Sequence, residues 1–180
     1  MINSHSAASV PSIIDPTLVK AVQEAFTQII AIFVGKELIP KPIDEIDKLC
    51  DSICGMISFV GNQNFSVMIC CSRESASELS MAMAGFNIDY DSADMGDAIG
   101  EMVNIIAGNI ITRMATVGFD VAMSLPTVFR GHDIERVVAQ NTLSSCAVYD
   151  LSHSQFWVEI VTGQVTPSHH DPESCPACGR

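Results

Sequence analysis

The 180-residue sequence predicts an α+β domain, a mixed or antiparallel sheet with a long N-terminal helix and a pair of central helices packed on it. Three observations carry this prediction. Apolar residues recur at steps of three and four in two long segments, residues 18–33 and 99–114, which is the period of a helix with one buried face. Two apolar runs, 53–60 and 65–71, flank the tetrapeptide GNQN and read as a β-hairpin. The stretch from 121 to 162 is a succession of short β-rich runs punctuated by Pro126, Gly131, residues 152–154 and then Gly163.

Residues 1–14 are mostly small and polar and read as a loose leader. Asp15 or Thr17 can cap the first helix, and Pro16 suits its first turn. Leu18, Val22, Ala25, Phe26, Ile29, Ile30 and Phe33 form its apolar stripe, and Gly35 ends it near Val34. Pro40 and Pro42 limit the next segment to an edge strand. After the hairpin, 73–84 is a short amphipathic helix, followed by the acid-rich loop GFNIDYDSAD. Asp91 or Ser92 caps the long helix, and Gly118 closes it. The remaining candidate strands are 121–125, 136–138, 142–150 and 155–162. The domain body is therefore 15–163. Beyond it, QVTPSHHDPESCPACGR changes composition abruptly and reads as a flexible tail, 164–180.

Hydrophobic residues make up 48% of the chain and charged residues only 17%, which suits a buried core rather than disorder. The net charge of −12, with no cluster of Lys or Arg, argues against nucleic acid and against anionic membrane surfaces as partners. No window of about 20 residues reads as a membrane span. The candidate at 26–40 is short and is interrupted by Gln28, Lys36 and Glu37. The start, MINSHSAASVPS, lacks the basic-then-apolar pattern of a secretory signal, so the cytoplasm is the expected compartment. In that compartment Cys50, Cys54, Cys70, Cys71 and Cys146, set among strand-like apolar residues, are expected to act as small buried hydrophobes. No dinucleotide, P-loop or HExxH pattern is present.

The segment GDAIGEMVNIIAGNIITRM, 96–114, concentrates the chemistry. Ile99, Met102, Val103, Ile106, Ala107, Ile110 and Met114 form the buried stripe. Asp94, Asp97, Glu101, Asn104 and Gly108 line the opposite side, so Glu101 and Asn104 project side by side. Gly100 and Gly108 flank the pair and remove bulk there, although an interior glycine costs about 1 kcal/mol relative to Ala. An acid and an amide displayed at a cost in helix propensity suggest a surface that another macromolecule approaches. A merely solvated face would show the same spacing, and helix glycines also serve close packing on a strand.

The residues here resemble those of a known family. Its pattern is Asp or Ser, three residues, Glu, two residues, Asn, and a proline a little over twenty residues later. In this chain these are Asp97, Glu101, Asn104 and Pro126. The context DAIGEMVNIIAGNI, the downstream LPTVFRG and the upstream hairpin GMISFVGNQNFSVMICCS are similar as well, and the body from 15 to 163 resembles the CheX form of the CheC/CheX/FliY phosphatases. The resemblance implies dephosphorylation of the aspartyl phosphate of a CheY-like response regulator. It also implies a homodimer paired through the sheet. CheC-like members carry two ExxN helices. Here the second candidate, RESASELSMAMAG, has Glu74 and Glu78 but no asparagine at the required offset.

The roles follow from side-chain chemistry. The regulator would bring Mg²⁺ and a lysine, and no cofactor is expected on this chain. What the acyl phosphate lacks is a placed water, which a neutral amide such as Asn104 can hold. Glu101 would pair with the regulator's cation. Asp97 would support docking, and Gly100 and Gly108 would admit the partner's loops. Two other classes stay open: a non-catalytic module of the same fold that docks a regulator or other signalling partner, and a metal or redox protein using His169, His170, Cys175 and Cys178 of the tail. His132 beside Asp133 reads as a turn, with no nucleophile attached to it by context.

Overall fold

The computed structural model describes residues 13–43, 49–135, 137, 142–151 and 154–163. Among these residues three helices, α1 (Pro16–Val34), α2 (Arg73–Ala84) and α3 (Ala93–Thr116), lie on a seven-stranded sheet. The strands are β1 (Lys41–Ile43), β2 (Ser52–Gly61), β3 (Phe65–Ser72), β4 (Val121–Met123), β5 (Thr127–Gly131), β6 (Thr142–Leu151) and β7 (Ser154–Gly163). They are ordered β1-β6-β7-β3-β2-β4, with β5 also on β2, and every pairing is antiparallel.

Strand periodicity sorts the side chains. Ile53, Ile57 and Phe59 of β2, Phe65, Val67, Ile69 and Cys71 of β3, and Phe156, Val158 and Ile160 of β7 are buried in the core that the helices cover. Asp15 caps α1 through its carboxylate, which accepts from the Thr17 amide at 2.8 Å, and Gly35 closes the helix at φ 67°. Ile14, just before the cap, is already in the core. By length and apolar composition α1 would suffice to cross a membrane, which the window at 26–40 did not reveal. Packing accounts for that apolarity: Leu18, Val22, Ala25, Phe26 and Ile30 are fully buried, and the Phe26 ring meets Tyr149 at 4.5 Å and Phe156 at 5.7 Å between centroids.

The outer edge of β2 differs from expectation. The run read as one strand, 121–125, stops at Met123. A second strand, β5, begins just after Pro126, where the sequence showed only punctuation. β4 pairs with residues 59–61 of β2 and β5 with residues 52–56. Pro126 has no N–H to give to a ladder, so the edge breaks into two short strands around it. The segment read at 136–138 falls largely outside the described residues.

The face away from the helices carries a smaller cluster, Leu49, Cys54, Cys70 and Cys146, with Ile43, Met68, Ile134 and Trp157 against it. Cys54 and Cys70 were expected as separate buried thiols. They are joined in a disulfide, because the hairpin register sets them directly opposite each other on that face. Cys71 points the other way, and burial pushes its thiol up to about 12.

Candidate functional site

α3 displays the candidate residues, and three features fix its position. The first is a strand glycine. A Cβ on Gly55 of β2 would lie 2.4 Å from Val103 Cγ2, so only glycine lets α3 settle this close to the sheet. The second is Arg113, whose guanidinium donates to Asn109 at 2.8 Å, Glu24 at 2.6 Å and Gln28 at 2.5 Å, and so sets the rotation of α3 against α1. The third lies at the helix start. Ser92 is the N-cap, accepting from the Met95 amide at 3.3 Å. Arg130 of β5 donates to the backbone carbonyls of Tyr90, of Asp91 at 2.9 Å and of Ser92 at 3.2 Å. Arg73 of α2 stacks on the Tyr90 ring at 4.0 Å and pairs with Asp91 at 3.3 Å. Burial raises the Tyr90 hydroxyl's pKa above its ordinary value.

On the helix so held, the seven expected stripe residues, Ile99 to Met114, are all buried. Asp94, Asp97 and Glu101 are exposed, and Asn104, Gly100 and Gly108 are half-exposed. Among the described residues none of Asp94, Asp97, Glu101 and Asn104 is tied up by an ion pair or side-chain hydrogen bond. The carboxylate and the carboxamide therefore stand one turn apart on open ground. Gly108 faces open space, and Gly100 faces Val128 of β5, where an added Cβ would make ordinary contact at 3.5 Å.

The structure also brings Pro126 back to this helix. It lines a cleft of about 530 Å³ together with Asp97, Gly100, Val128 and Arg130. His132 is engaged elsewhere: its imidazole pairs with Asp51 rather than serving a nucleophile, and it ties the start of β2 to the turn after β5. His169, His170, Cys175 and Cys178 lie outside the described residues. Among the described residues no group of three or more His, Cys, Asp or Glu is arranged to hold a metal ion.

Sequence reasoning did not single out Gly55, Arg73, Tyr90, Arg113 or Arg130. The nearest signal was an arginine inside the strand-like TVFRG in a chain with only 9 basic residues. It also passed over Leu125, which precedes Pro126 and is 87% exposed.

The family model described as chemotaxis phosphatase CheX matches residues 53–150. No curated protein sequence matches the chain. Solved structures share its fold. A CheC-like superfamily protein from Shewanella sp. PV-4 superposes with a TM-score of 0.74 at 18% identity, covering 82% of this chain and 98% of its own. The chemotaxis protein CheX from Vibrio vulnificus gives 0.72 at 22% identity, covering 79% and 97%. The CheX of a CheX–CheY–BeF₃–Mg²⁺ complex from Borrelia burgdorferi gives 0.67 at 18% identity, covering 80% and 97%. With the matched residues spanning β2 to β6, including all of α3, this chain belongs to the CheX family of chemotaxis phosphatases.

Proposed function

We propose that this chain hydrolyses the aspartyl phosphate of a CheY-like response regulator, with Asn104 placing the attacking water and Glu101 anchoring the regulator's active site. Family membership supports the reaction class, and a CheX of this fold is known in complex with CheY, BeF₃ and Mg²⁺. The observation that carries the residue roles is the unengaged Glu101–Asn104 pair on the outward face of a helix fixed at both ends.

An aspartyl phosphate is already a reactive acyl phosphate, and Mg²⁺ and a lysine brought by the regulator would neutralise charge on the leaving carboxylate and phosphoryl oxygens. The missing component is an in-line water. The Asn104 carbonyl oxygen accepts one of its O–H groups and turns a lone pair toward phosphorus. No strong base is required when the transition state is loose. Glu101, one turn earlier, accepts from the regulator's lysine in a charge-assisted bond that fixes the angle of approach. Asp97 extends the acidic face toward the cleft.

Phosphate loss from a phosphorylated receiver, followed with and without this protein, tests the proposal. Asn104→Ala is expected to lower the saturated rate about 10²-fold, the usual cost of one positioned polar group. Wild-type turnover in that variant would end the assignment. Tight binding of the receiver by the wild-type protein without any turnover would instead favour a docking module.

A further inference from the structure

A cleft lies beside α3. Its volume of about 530 Å³ falls in the range of roughly 300–1,000 Å³ typical of clefts that hold a compact ligand. One wall is the N-terminal half of α3, bare at Gly96 and Gly100. The other is β5, which presents Val128 and, at its start, Pro126. Arg130 also lines the cleft, but its guanidinium is occupied by the carbonyls of residues 90–92 and is not offered to a ligand. The charge left available on the rim is the Asp97 carboxylate.

The fold does not itself require these glycines. A Cβ on Gly96 would meet nothing within 4 Å, and one on Gly100 only an ordinary contact with Val128. Alanine at either site would favour the helix by about 1 kcal/mol. The bare wall is therefore open to a group from outside the chain. Pro126 lines the cleft, and Leu125 before it belongs to a loop tied to β2. The Ser124 amide donates to the Ser58 carbonyl at 2.8 Å, and the Ser58 amide donates to Ser124 Oγ at 3.1 Å. Leu125 is 87% exposed and directly precedes the cleft's Pro126, so its side chain is open to contact by a docked protein.

We propose that this cleft seats a loop of the phosphorylated receiver, an apolar side chain lying against Val128 and Pro126 while a neighbouring lysine or arginine meets Asp97, with Leu125 packing on the receiver at the mouth. The proposal rests on the phosphatase reading above and adds a surface that sets which receiver is accepted. The occupant follows from continuity and charge. Asp97 and Gly100 belong both to the cleft and to the face that carries Glu101 and Asn104, so the cleft adjoins the surface on which a receiver would dock. The apolar floor and anionic rim call for an apolar residue flanked by a cation.

Three variants of the full chain test this against a phosphorylated receiver. Gly96→Leu puts a bulky side chain into the cleft from a position where a Cβ meets nothing within 4 Å, Leu125→Ala removes the exposed leucine, and Ala115→Leu on the exposed last turn of α3 is the control. Gly96→Leu is expected to raise KM about 10-fold or more with kcat nearly unchanged, the pattern of lost uniform binding. Leu125→Ala should move in the same direction, and Ala115→Leu should behave as wild type. Unchanged KM in Gly96→Leu, or a fall in kcat alone, overturns the cleft proposal while leaving the phosphatase reading intact, provided Asn104→Ala still loses turnover. A wild-type protein that neither binds a BeF₃-activated receiver nor hydrolyses the phosphorylated one removes both.

Discussion

At the scale of single residues, the proposed mechanism divides labour between Glu101 and Asn104 by charge. The amide carries no formal charge, so it can lie close to a phosphoryl group without repelling it, whereas the carboxylate must meet a cation to be useful there. Glu101 is exposed on a solvent face, so its removal does not disturb the core. Glu101→Ala is therefore expected to raise KM for the phosphorylated receiver about 10-fold and to lower kcat as well, because the lysine it would hold belongs to the reacting site in the proposed mechanism. Thermal denaturation of the variant should match wild type. A normal KM with a normal kcat would remove Glu101 from the mechanism. Glu101 and Asn104 were legible in the sequence because both lie on one helix, where spacing alone fixes direction. Arg130 and Tyr90 were not, because their roles depend on contacts between segments some 40 residues apart in the chain.

At the scale of elements, the site depends on how α3 meets the hairpin. Val103 is β-branched and stiff, so it cannot swing away from an added methyl 2.4 Å distant. Gly55→Ala is expected to destabilise the protein by about 1–3 kcal/mol, the ordinary cost of overpacking. Urea denaturation would show it as a lower midpoint, and an unchanged midpoint would mean that α3 does not press on β2 as described. The hairpin beneath is also tied covalently. Cys54 and Cys70 are separated by 16 positions, and closing a loop of that size contributes about 3 kcal/mol by restricting the unfolded chain. Alkylation in denaturant should leave the Cys54 and Cys70 peptides unmodified until dithiothreitol is added, while exposed Cys50 reacts from the start. Reduction should then lower the midpoint of unfolding. Modification of Cys54 without reductant would refute the bond.

At the scale of the whole molecule, the helices cover one face of the sheet and leave the other with little described cover. That second face carries Met56 at 40% and Phe129 at 37% exposure beside half-buried Met68 and Trp157. An apolar sheet face suits an isologous partner, and we propose pairing with a second copy through it. Light scattering is expected to give twice the 19.3 kDa chain mass, and Met56→Glu is expected to shift the protein toward the monomer. A monomeric wild type at micromolar concentration would dismiss the pairing. Because α3 lies on the opposite side of the sheet, such a dimer would leave both Glu101–Asn104 faces open to receivers.

The sequence by itself determined the local elements: three helices, with the caps of the first and third narrowed to Asp15 or Thr17 and to Asp91 or Ser92, the hairpin, the edge strand at Pro42, and the outward pair Glu101–Asn104. Each of these is set by interactions within a few residues, namely helical period, capping and turn chemistry. Only the tertiary structure decided what those elements do to one another. It split the β2 edge at Pro126, joined Cys54 to Cys70, pressed α3 onto Gly55 and returned Pro126 to Asp97 across a cleft. These depend on strand register and on which edges meet, and register is set by the burial of a whole face at once rather than by any local run of residues.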